Sequence, residues 1–329
     1  PRPIKWFSIP RLFRAENPQR GRFREFLQWN IDVIGSDDVQ ADVECIFTCA
    51  DFLREVGLTP DDVVIRIGAR PLTMAMLRSV GVGEDGMDKA LAVLDKRPKV
   101  DEERFAAMAA DVGIGADGVE AVCRFQDAAD LDEVAAAVGE SAGEDVQKLK
   151  IALEHLDLMG AGDYCRLDMR IVRGLAYYTG IVYEVFDAAE DLRAVAGGGR
   201  YDNLLEVLGG PKIGATGFGM GDPVLSILLA EKGKLPDFAA GVDCFVVAGG
   251  DDVSEQMLQV VGGLRRAGVA TDYSSKRNLG KALKEANRRK ARYAVIVRTD
   301  GVAVKSLQTG DQVDVPIEEL LENPAKYFK

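Results

Sequence analysis

The sequence of 329 residues has a net charge of −12, and 47% of its residues are hydrophobic while 29% are charged. These values are typical of a globular protein with room for two domains, and the acidic balance argues against a generic nucleic-acid binder. No run of about 18 apolar residues is present, which excludes a membrane-spanning helix. A single histidine, His155, and five scattered cysteines exclude a familiar zinc site and a histidine-based triad. We therefore expect reduced thiols in a cytoplasmic protein, whose catalysis would use Arg, Asp, Glu, Tyr or a metal.

The N-terminal part of the chain is predicted to form a strand pair with one polar face. Residues 4–13 and 23–34 have the composition of extended segments and are joined by a polar loop. Alternation in the second segment places Gln28, Asn30 and Asp32 on the same face. Because such a polar face is costly to bury in a core, we predict that it lines a pocket.

The next part of the chain alternates between helical and strand-like segments. The predicted elements are a helix at 38–56, a strand at 63–67, a mostly helical region at 72–160, strands at 167–172, 181–186 and 193–196, a helix around 201–208 after three glycines, a segment at 215–221 and a helix at 224–232. Strands that return after a helical region favour one antiparallel sheet with an insertion. We predict an α+β core over residues 1–232, with a helical insertion at about 88–160.

The C-terminal part is predicted to be a separate domain. After a linker at 233–241, the predicted elements are strands at 243–248, 269–273 and 293–298, with helices at 252–267 and 279–291. This βαβαβ order predicts an α/β domain with a parallel sheet over residues 242–329.

An arginine cluster surrounds the loop between the first two extended segments. Arg14, Arg20, Arg22 and Arg24 lie within eleven residues. Guanidinium groups stay charged and match phosphate oxygens bidentately, so the cluster suits a polyphosphate. A salt-bridged surface hairpin is the alternative interpretation.

A pair of tyrosines lies in the turn at 173–180. Tyr177 and Tyr178 offer an aromatic wall and a hydroxyl group, which opposite Asp32 would hold a planar, hydrogen-bonding side chain. Packing in a core is the alternative for either tyrosine.

Glycines recur at 197–199 and at alternate positions in 217–221, where a flat ring can lie against the bare backbone.

A basic segment stands out in the acidic chain. Between Arg265 and Arg298 there are eleven Lys or Arg residues and two acids, Asp272 and Glu285, so the local charge is +9. A solvated helix face is one interpretation. Phosphate binding at one defined place is the other.

These clusters, in this order, resemble the class II aminoacyl-tRNA synthetase core of the histidyl-tRNA synthetase family. Arg14-Ala15-Glu16 through Asp32 resembles motif 2, and Arg173-Gly174-Leu175-Ala176-Tyr177-Tyr178-Thr179-Gly180 resembles the peptide that marks histidine specificity. Residues 197–229 resemble motif 3, and residues 242–322 resemble an anticodon-binding domain.

The resemblance implies ATP- and Mg²⁺-dependent activation of histidine, followed by transfer to the 3′ end of tRNA(His), and a homodimer in the full-length protein. It assigns catalysis to Arg14 and Arg173. The binding residues that it implies are Gln28, Asp32, Tyr177 and Tyr178 for histidine, Arg14, Glu16, Arg22, Gly217 and Gly219 for ATP, and Arg277, Lys281, Arg288 and Arg289 for tRNA.

The sequence departs from the family pattern in three places. Motif 1, which builds the dimer interface, is expected to precede Pro1. Val224 stands where motif 3 has an arginine for the γ-phosphate, and this loss weakens phosphate binding unless Arg22 or Arg200 compensates. Ala176 replaces an acid that is often found in the specificity peptide.

These departures keep two alternatives open. One is a catalytically silent synthetase paralogue that senses histidine or binds tRNA for regulation, although the known relative of that kind lacks the anticodon domain. The other is a plain nucleic-acid-binding α/β module, which does not explain Asp32 or the tyrosine pair.

Overall fold

The protein consists of two compact units, Pro1–Leu235 and Pro236–Lys329. The structure is a computed structural model that describes residues 2–15, 17–172, 177–236, 241–274, 276 and 278–328. Each unit has hydrophobic core clusters of its own. No helix within these described ranges has the length and apolarity that a bilayer crossing requires.

The first unit is built on a largely antiparallel sheet. Its strands are β1 (Ile4–Ser8), β2 (Arg11–Phe13), β3 (Glu25–Ile34), β4 (Val63–Ala69), β5 (Cys165–Leu167), β6 (Ile181–Asp187), β7 (Ala196–Arg200) and β8 (Ala215–Gly221). They lie in the order β1-β3-β8-β7-β6-β4-β5, and β2 pairs with β3. The pairing of β4 with β5 is parallel and the other pairings are antiparallel. The antiparallel sheet of an α+β core is therefore confirmed.

Helices interrupt this sheet and cover it. They are α1 (Val39–Glu55), α2 (Arg70–Ser79), α3 (Met87–Leu94), α4 (Glu102–Asp111), α5 (Ala116–Gln126), α6 (Leu131–Val138), α7 (Gly143–Leu158), α8 (Leu204–Val207) and α9 (Asp222–Glu231). Helices α2 to α7 separate β4 from β5 in sequence, yet these two strands pair directly. The helical insertion therefore begins after one strand, β4, and ends before the strand that pairs with it, β5.

Helix α1 covers one face of the sheet. The Asp38 side chain caps it by accepting a hydrogen bond from the Gln40 amide. Cys45, Cys49 and Leu53, which recur every four residues, are fully buried against the sheet and α7. Helix α1 thereby packs on one face of these strands through its buried side chains.

Two predicted strands differ from the structure in extent. Residues 168–172 lie outside β5, because the Asp168 carboxylate accepts a hydrogen bond from the Arg170 amide and closes a turn. The three glycines at 197–199 lie inside β7 rather than after a strand. Their backbone groups pair with β6 on one side and β8 on the other, which offsets the low strand preference of glycine.

The second unit has a mixed sheet. Its elements are β9 (Cys244–Ala248), α10 (Ser254–Arg266), β10 (Thr271–Tyr273), α11 (Leu279–Arg288), β11 (Tyr293–Arg298), β12 (Gly301–Ser306), β13 (Gln312–Val315) and α12 (Ile317–Glu322). Strands β10, β9 and β11 are parallel, as predicted from the βαβαβ order. Two antiparallel strands, β12 and β13, extend this sheet and were not predicted.

A buried ion pair joins the end of β7 to α1. Arg200 donates from Nε and Nη2 to Asp42 Oδ2, at 2.9 Å and 2.7 Å, and from Nη1 to Asp202 Oδ1 at 3.1 Å. Its guanidinium also donates to the carbonyls of Ser36 and Asp38. Because Asp42 is only 1% exposed and Arg200 8% exposed, each charge depends on the other for compensation.

Arg200→Met is expected to lower the free energy of unfolding of the first unit by about 3–5 kcal/mol, because it leaves Asp42 buried without a countercharge. Urea denaturation followed by tryptophan fluorescence measures this change, since both tryptophans, Trp6 and Trp29, lie in the first unit. The control is Arg124→Met, which removes an exposed ion pair with Glu120 and should change nothing measurable. Equal stability of the two variants would show that the buried pair contributes little.

Candidate active site

A cavity of about 630 Å³ opens on the sheet of the first unit. This volume is suited to a small-molecule ligand. Its floor crosses four adjacent strands, where Asn30 of β3, Gly219 of β8, Gly197 of β7 and Glu184 of β6 form one row. Because the two central members of this row have no side chain, the middle of the floor is open while its edges carry polar groups.

The glycines of β8 make room for the polar side chains of β3. A Cβ atom on Gly217 would lie 2.2 Å from the Ile31 carbonyl oxygen and 2.7 Å from Asp32 Oδ1. A Cβ atom on Gly219 would lie 2.5 Å from Gln28 Nε2. These distances are shorter than real carbon contacts, so any larger residue would displace the strand or its polar side chains.

One end of the cavity combines a carboxylate with three tyrosines. The Tyr201 hydroxyl donates a hydrogen bond to Asp32 Oδ1. Burial, and then this hydrogen bond, raise the pKa of the Tyr201 phenol above its usual value, so the group stays protonated and keeps donating. The ring of Tyr177 lies 4.6 Å from that of Tyr178 and 5.9 Å from that of Tyr201, measured between centroids. At this end of the cavity, the Asp32 carboxylate is therefore held by a hydrogen bond and lies among the tyrosine rings.

The other end of the cavity is cationic. Arg14, Arg22 and Arg193 line it together with Val224. Along β3, Gln28 precedes Asp32 by four residues, which places them about 13 Å apart. Arg14 contacts Gln28 through a hydrogen bond of 3.3 Å, so its guanidinium lies toward the end away from Asp32. A ligand that spans the cavity would meet arginines at one end and an acid with phenols at the other.

Most of the predicted site residues lie together. The cavity is lined by Arg14, Arg22, Gln28, Asp32, Tyr177, Tyr178, Gly217 and Gly219. The predicted Glu16, Arg173 and Arg277 lie outside the described residues. Lys281, Arg288 and Arg289 belong to the second unit. What each residue contributes to ligand binding stays a prediction.

Three cavity residues had no role assigned from the sequence. Tyr201 follows the triple glycine and was expected only to begin a helix, Glu184 was one position in a predicted strand, and Arg193 began another strand. The row that pairs Glu184 with Gly197 depends on strand register, which the local pattern does not reveal. Tyr201 and Arg193 flank β7, so recognising the glycines as a strand would have pointed to both.

The expectation that Arg200 can act on a ligand's phosphates is wrong. Its guanidinium is held by Asp42, Asp202 and backbone carbonyls, and it lines a different cavity of about 370 Å³. Gly180 lies against the Arg200 stem, since a Cβ atom added to Gly180 would lie only 2.9 Å from Arg200 Cδ. Arg200 therefore stabilises the fold, and Arg22 remains the candidate of the two for phosphate binding.

The basic segment of the second unit includes one exposed helix face. Lys281, Lys284 and Arg288 are exposed on α11 and recur at intervals of three and four residues, while Ala282 and Ala286 are buried beneath them. Such spacing aligns side chains along one stripe of a helix. Arg289, which caps the C-terminal end of the helix, is also exposed.

Comparison with known proteins connects both units to one family. The profile of the histidyl-tRNA synthetase family matches residues 1–221, and the profile of an anticodon-binding domain matches residues 243–325. The chain is 36% identical to a chloroplastic/mitochondrial histidine–tRNA ligase of Arabidopsis thaliana, covering 97% of this chain and 66% of the relative. It is also 36% identical to a histidine–tRNA ligase of Halorubrum lacusprofundi, covering 97% of this chain and 75% of the relative. The chain thus spans about two thirds to three quarters of the length of these relatives.

A solved structure agrees with this match. The histidyl-tRNA synthetase of Nostoc sp. PCC 7120 superposes with a TM-score of 0.81 at 25% identity, covering 99% of this chain and 78% of that one. The antiparallel sheet with its helical insertion, the cavity on its open face and the separate α/β unit together define the fold as a class II aminoacyl-tRNA synthetase core with an anticodon-binding domain. Within that class, the chain belongs to the histidyl-tRNA synthetase family.

Gly217→Ala is expected to destabilise the first unit by about 1–3 kcal/mol, because the added methyl group would press on the backbone of β3. Gly219→Ala should cost less, since its methyl group would meet the movable end of Gln28. The control is Gly83→Ala, where an added Cβ meets no atom within 4 Å. Thermal unfolding ranks the three variants, and a Gly217→Ala protein as stable as the control would contradict the packing argument.

Proposed function

We propose that this protein is a histidine–tRNA ligase, which uses ATP to convert histidine to histidyl-adenylate and then esterifies the 3′ end of tRNA(His). The observation that carries the proposal is the polarity of the cavity, with arginines at one end and Asp32 with tyrosines at the other. Membership of the histidyl-tRNA synthetase family supports the same assignment.

The cationic end suits the chemistry of activation. The histidine carboxylate must attack the α-phosphate of ATP, so two anions have to approach each other. Fixed positive charge lowers the cost of that approach. Arg14 is held for this task between the ring of Phe26, 4.3 Å from its Cζ atom, and the side chain of Gln28. Arg173, which lies outside the described residues, is proposed to act from the other side of the reacting atoms.

The acidic end suits an imidazole. Asp32 uses Oδ1 to accept from Tyr201, and within the described residues Oδ2 has no hydrogen-bond partner. This second oxygen would accept the N–H of a substrate imidazole, while Tyr178 would contact the other ring nitrogen. A site that satisfies two ring nitrogens discriminates strongly against amino acids that lack them. Tyr177 and Gln28 complete the proposed histidine pocket, with Gln28 toward the amino or carboxylate group.

The adenine and phosphates of ATP are assigned to the glycine floor and the arginine end. Gly217 and Gly219 leave the floor bare for a flat ring, Arg22 would contact the distal phosphates and Glu16 would orient the nucleoside.

Magnesium would arrive with the nucleotide. Among the described residues, no group of three His, Cys, Asp or Glu side chains is placed to hold a metal ion. Mg²⁺ needs fewer protein ligands than that, because it commonly binds one or two carboxylates together with substrate phosphates. Glu184, in the cavity wall, fits that role and would hold an ion that neutralises polyphosphate charge when bound.

The proposal includes the protein's partners and location. Ile4, Trp6 and Phe7 on β1 are exposed, and Phe7 has 69% of its surface accessible. Exposed apolar side chains on this edge strand support a homodimer of the full-length protein. The cytoplasm is the proposed location, and the five unpaired cysteines are compatible with a reducing compartment.

Pyrophosphate exchange tests the proposed activity. Wild-type protein should exchange pyrophosphate into ATP in the presence of histidine, and should not do so with phenylalanine or glutamine. Histidine binding without exchange would instead indicate a catalytically silent paralogue that senses histidine. Absence of both histidine and ATP binding would overturn the proposal.

Asp32→Ala is expected to weaken histidine binding by at least about 100-fold, because it removes a charged acceptor and leaves the Tyr201 hydroxyl without its partner. Affinity for ATP should change little, since the arginine end is untouched. Calorimetric titration with each ligand measures both effects. Asp85→Ala, which removes an exposed acid of the helical insertion, is the control. An unchanged histidine affinity would exclude Asp32 from the pocket.

Replacing Arg288 and Arg289 together with alanine is expected to weaken tRNA binding and to reduce its salt dependence, because each phosphate contact that is lost lowers the logarithmic salt slope by about one. Filter binding across a salt series provides the slope, and histidine-dependent exchange should be unaffected. Lys326→Ala in the same unit, whose side chain is bonded to Glu319, is the control. An unaltered slope would argue that the basic stripe does not contact tRNA.

A further inference from the structure

Val224 is committed to packing at the cationic end of the cavity. Gly21, in the loop between β2 and β3, adopts a φ of +70°, and a Cβ atom added to it would lie 3.0 Å from Val224 Cγ2. The loop that carries Arg22 therefore sits directly on the Val224 side chain. Because the Val224 side chain is apolar and packs under this loop, positive charge for a ligand has to come from elsewhere.

Arg193 lies beside the same helix start. The Val195 carbonyl accepts a hydrogen bond of 3.3 Å from the amide of Gly221, the residue that caps α9. Arg193 is two residues before Val195, and both line the cavity with Val224. The segment that leads into β7 thus brings an arginine into the cavity wall that Val224 also lines.

The surroundings of Arg193 leave its charge available. Within the described part of the chain, Arg193 makes no hydrogen bond and no ion pair. Partial burial, and then the nearby charge of Arg22, lower its pKa below the usual arginine value, although it stays charged at neutral pH. Two like charges that face one cavity repel each other in the free protein. A polyanion between them would relieve that repulsion, which makes the pair suited to a polyphosphate.

We infer that Arg193 is a nucleotide-binding residue that, with Arg22, grips the β- and γ-phosphates of ATP. The inference rests on the proposed ligase function and deepens it by naming the group that supplies charge where Val224 supplies none. Arg200 is excluded from this task by its buried pairing with Asp42. Arg14, which contacts Gln28 on β3, is left for the α-phosphate.

Comparing ATP with AMP isolates the two distal phosphates. In calorimetric titrations, Arg193→Ala should lower the affinity for ATP by about 10- to 100-fold, which is the loss expected for charge-assisted hydrogen bonds. Affinity for AMP and for histidine should change less than about twofold on the same reasoning. Arg193→Lys should recover part of the ATP affinity, because it keeps the charge without the bidentate fork. The control is Arg124→Ala, an exposed arginine of the helical insertion.

The outcomes separate this inference from the proposed function. Wild-type protein that binds neither ATP nor histidine would overturn the proposed function and the inference with it. Wild-type protein that binds both, with an Arg193→Ala variant of unchanged ATP affinity, would overturn the inference alone. Equal losses for ATP and AMP would also overturn it, since they would indicate that Arg193 supports the cavity wall rather than the distal phosphates. In exchange assays, the supporting result is a raised KM for ATP with an unchanged KM for histidine.

Discussion

The cavity depends on the absence of side chains at the centre of the sheet. Gly219 and Gly197 occupy the two middle positions of a row that begins at Asn30 and ends at Glu184. Glycine is unfavourable inside a strand, because it loses more backbone freedom on folding and contributes no packing. The pairing of β7 and β8 with strands on both sides offsets this cost, while α1 covers the opposite face. The sheet can therefore have a bare floor without losing its order.

This bare floor gives the ligand an orientation. Asp32 with Tyr201 and the arginines near Val224 line the same cavity, and along β3 the Arg14 partner Gln28 lies four residues from Asp32. The phenol of Tyr201 donates a hydrogen bond to one carboxylate oxygen of Asp32, which holds this side chain at the cavity wall. In the proposed function, an imidazole at one end and phosphates at the other would fix the direction in which the substrates bind. Positioning of this kind is what a reaction between two anions requires.

Much of the fold was predictable, because long segments repeat a strong pattern. The alternation that put Gln28 and Asp32 on one face, and the helical spacing of α1, are local signals that the structure reproduces. Strand register is not local. Tyr201, Glu184 and Arg193 reach the cavity only because β7 runs through the triple glycine and pairs on both sides. Strands β12 and β13 were missed for a similar reason, since short strands at the edge of a sheet depend on a neighbour that is already in place.

The contrast between Arg193 and Arg200 shows why residue type alone does not assign a role. Both flank β7, at its two ends, and both carry a charge that suits phosphate. Arg200 is 8% exposed and its donors are taken by Asp42, Asp202 and backbone carbonyls, so it contributes to the stability of the first unit. Arg193 is exposed toward the cavity and lies near another arginine, so its charge can act on a ligand. At the start of α9, the apolar Val224 supports the loop that carries Arg22, and the positive charge of this part of the cavity wall comes from Arg22 and Arg193.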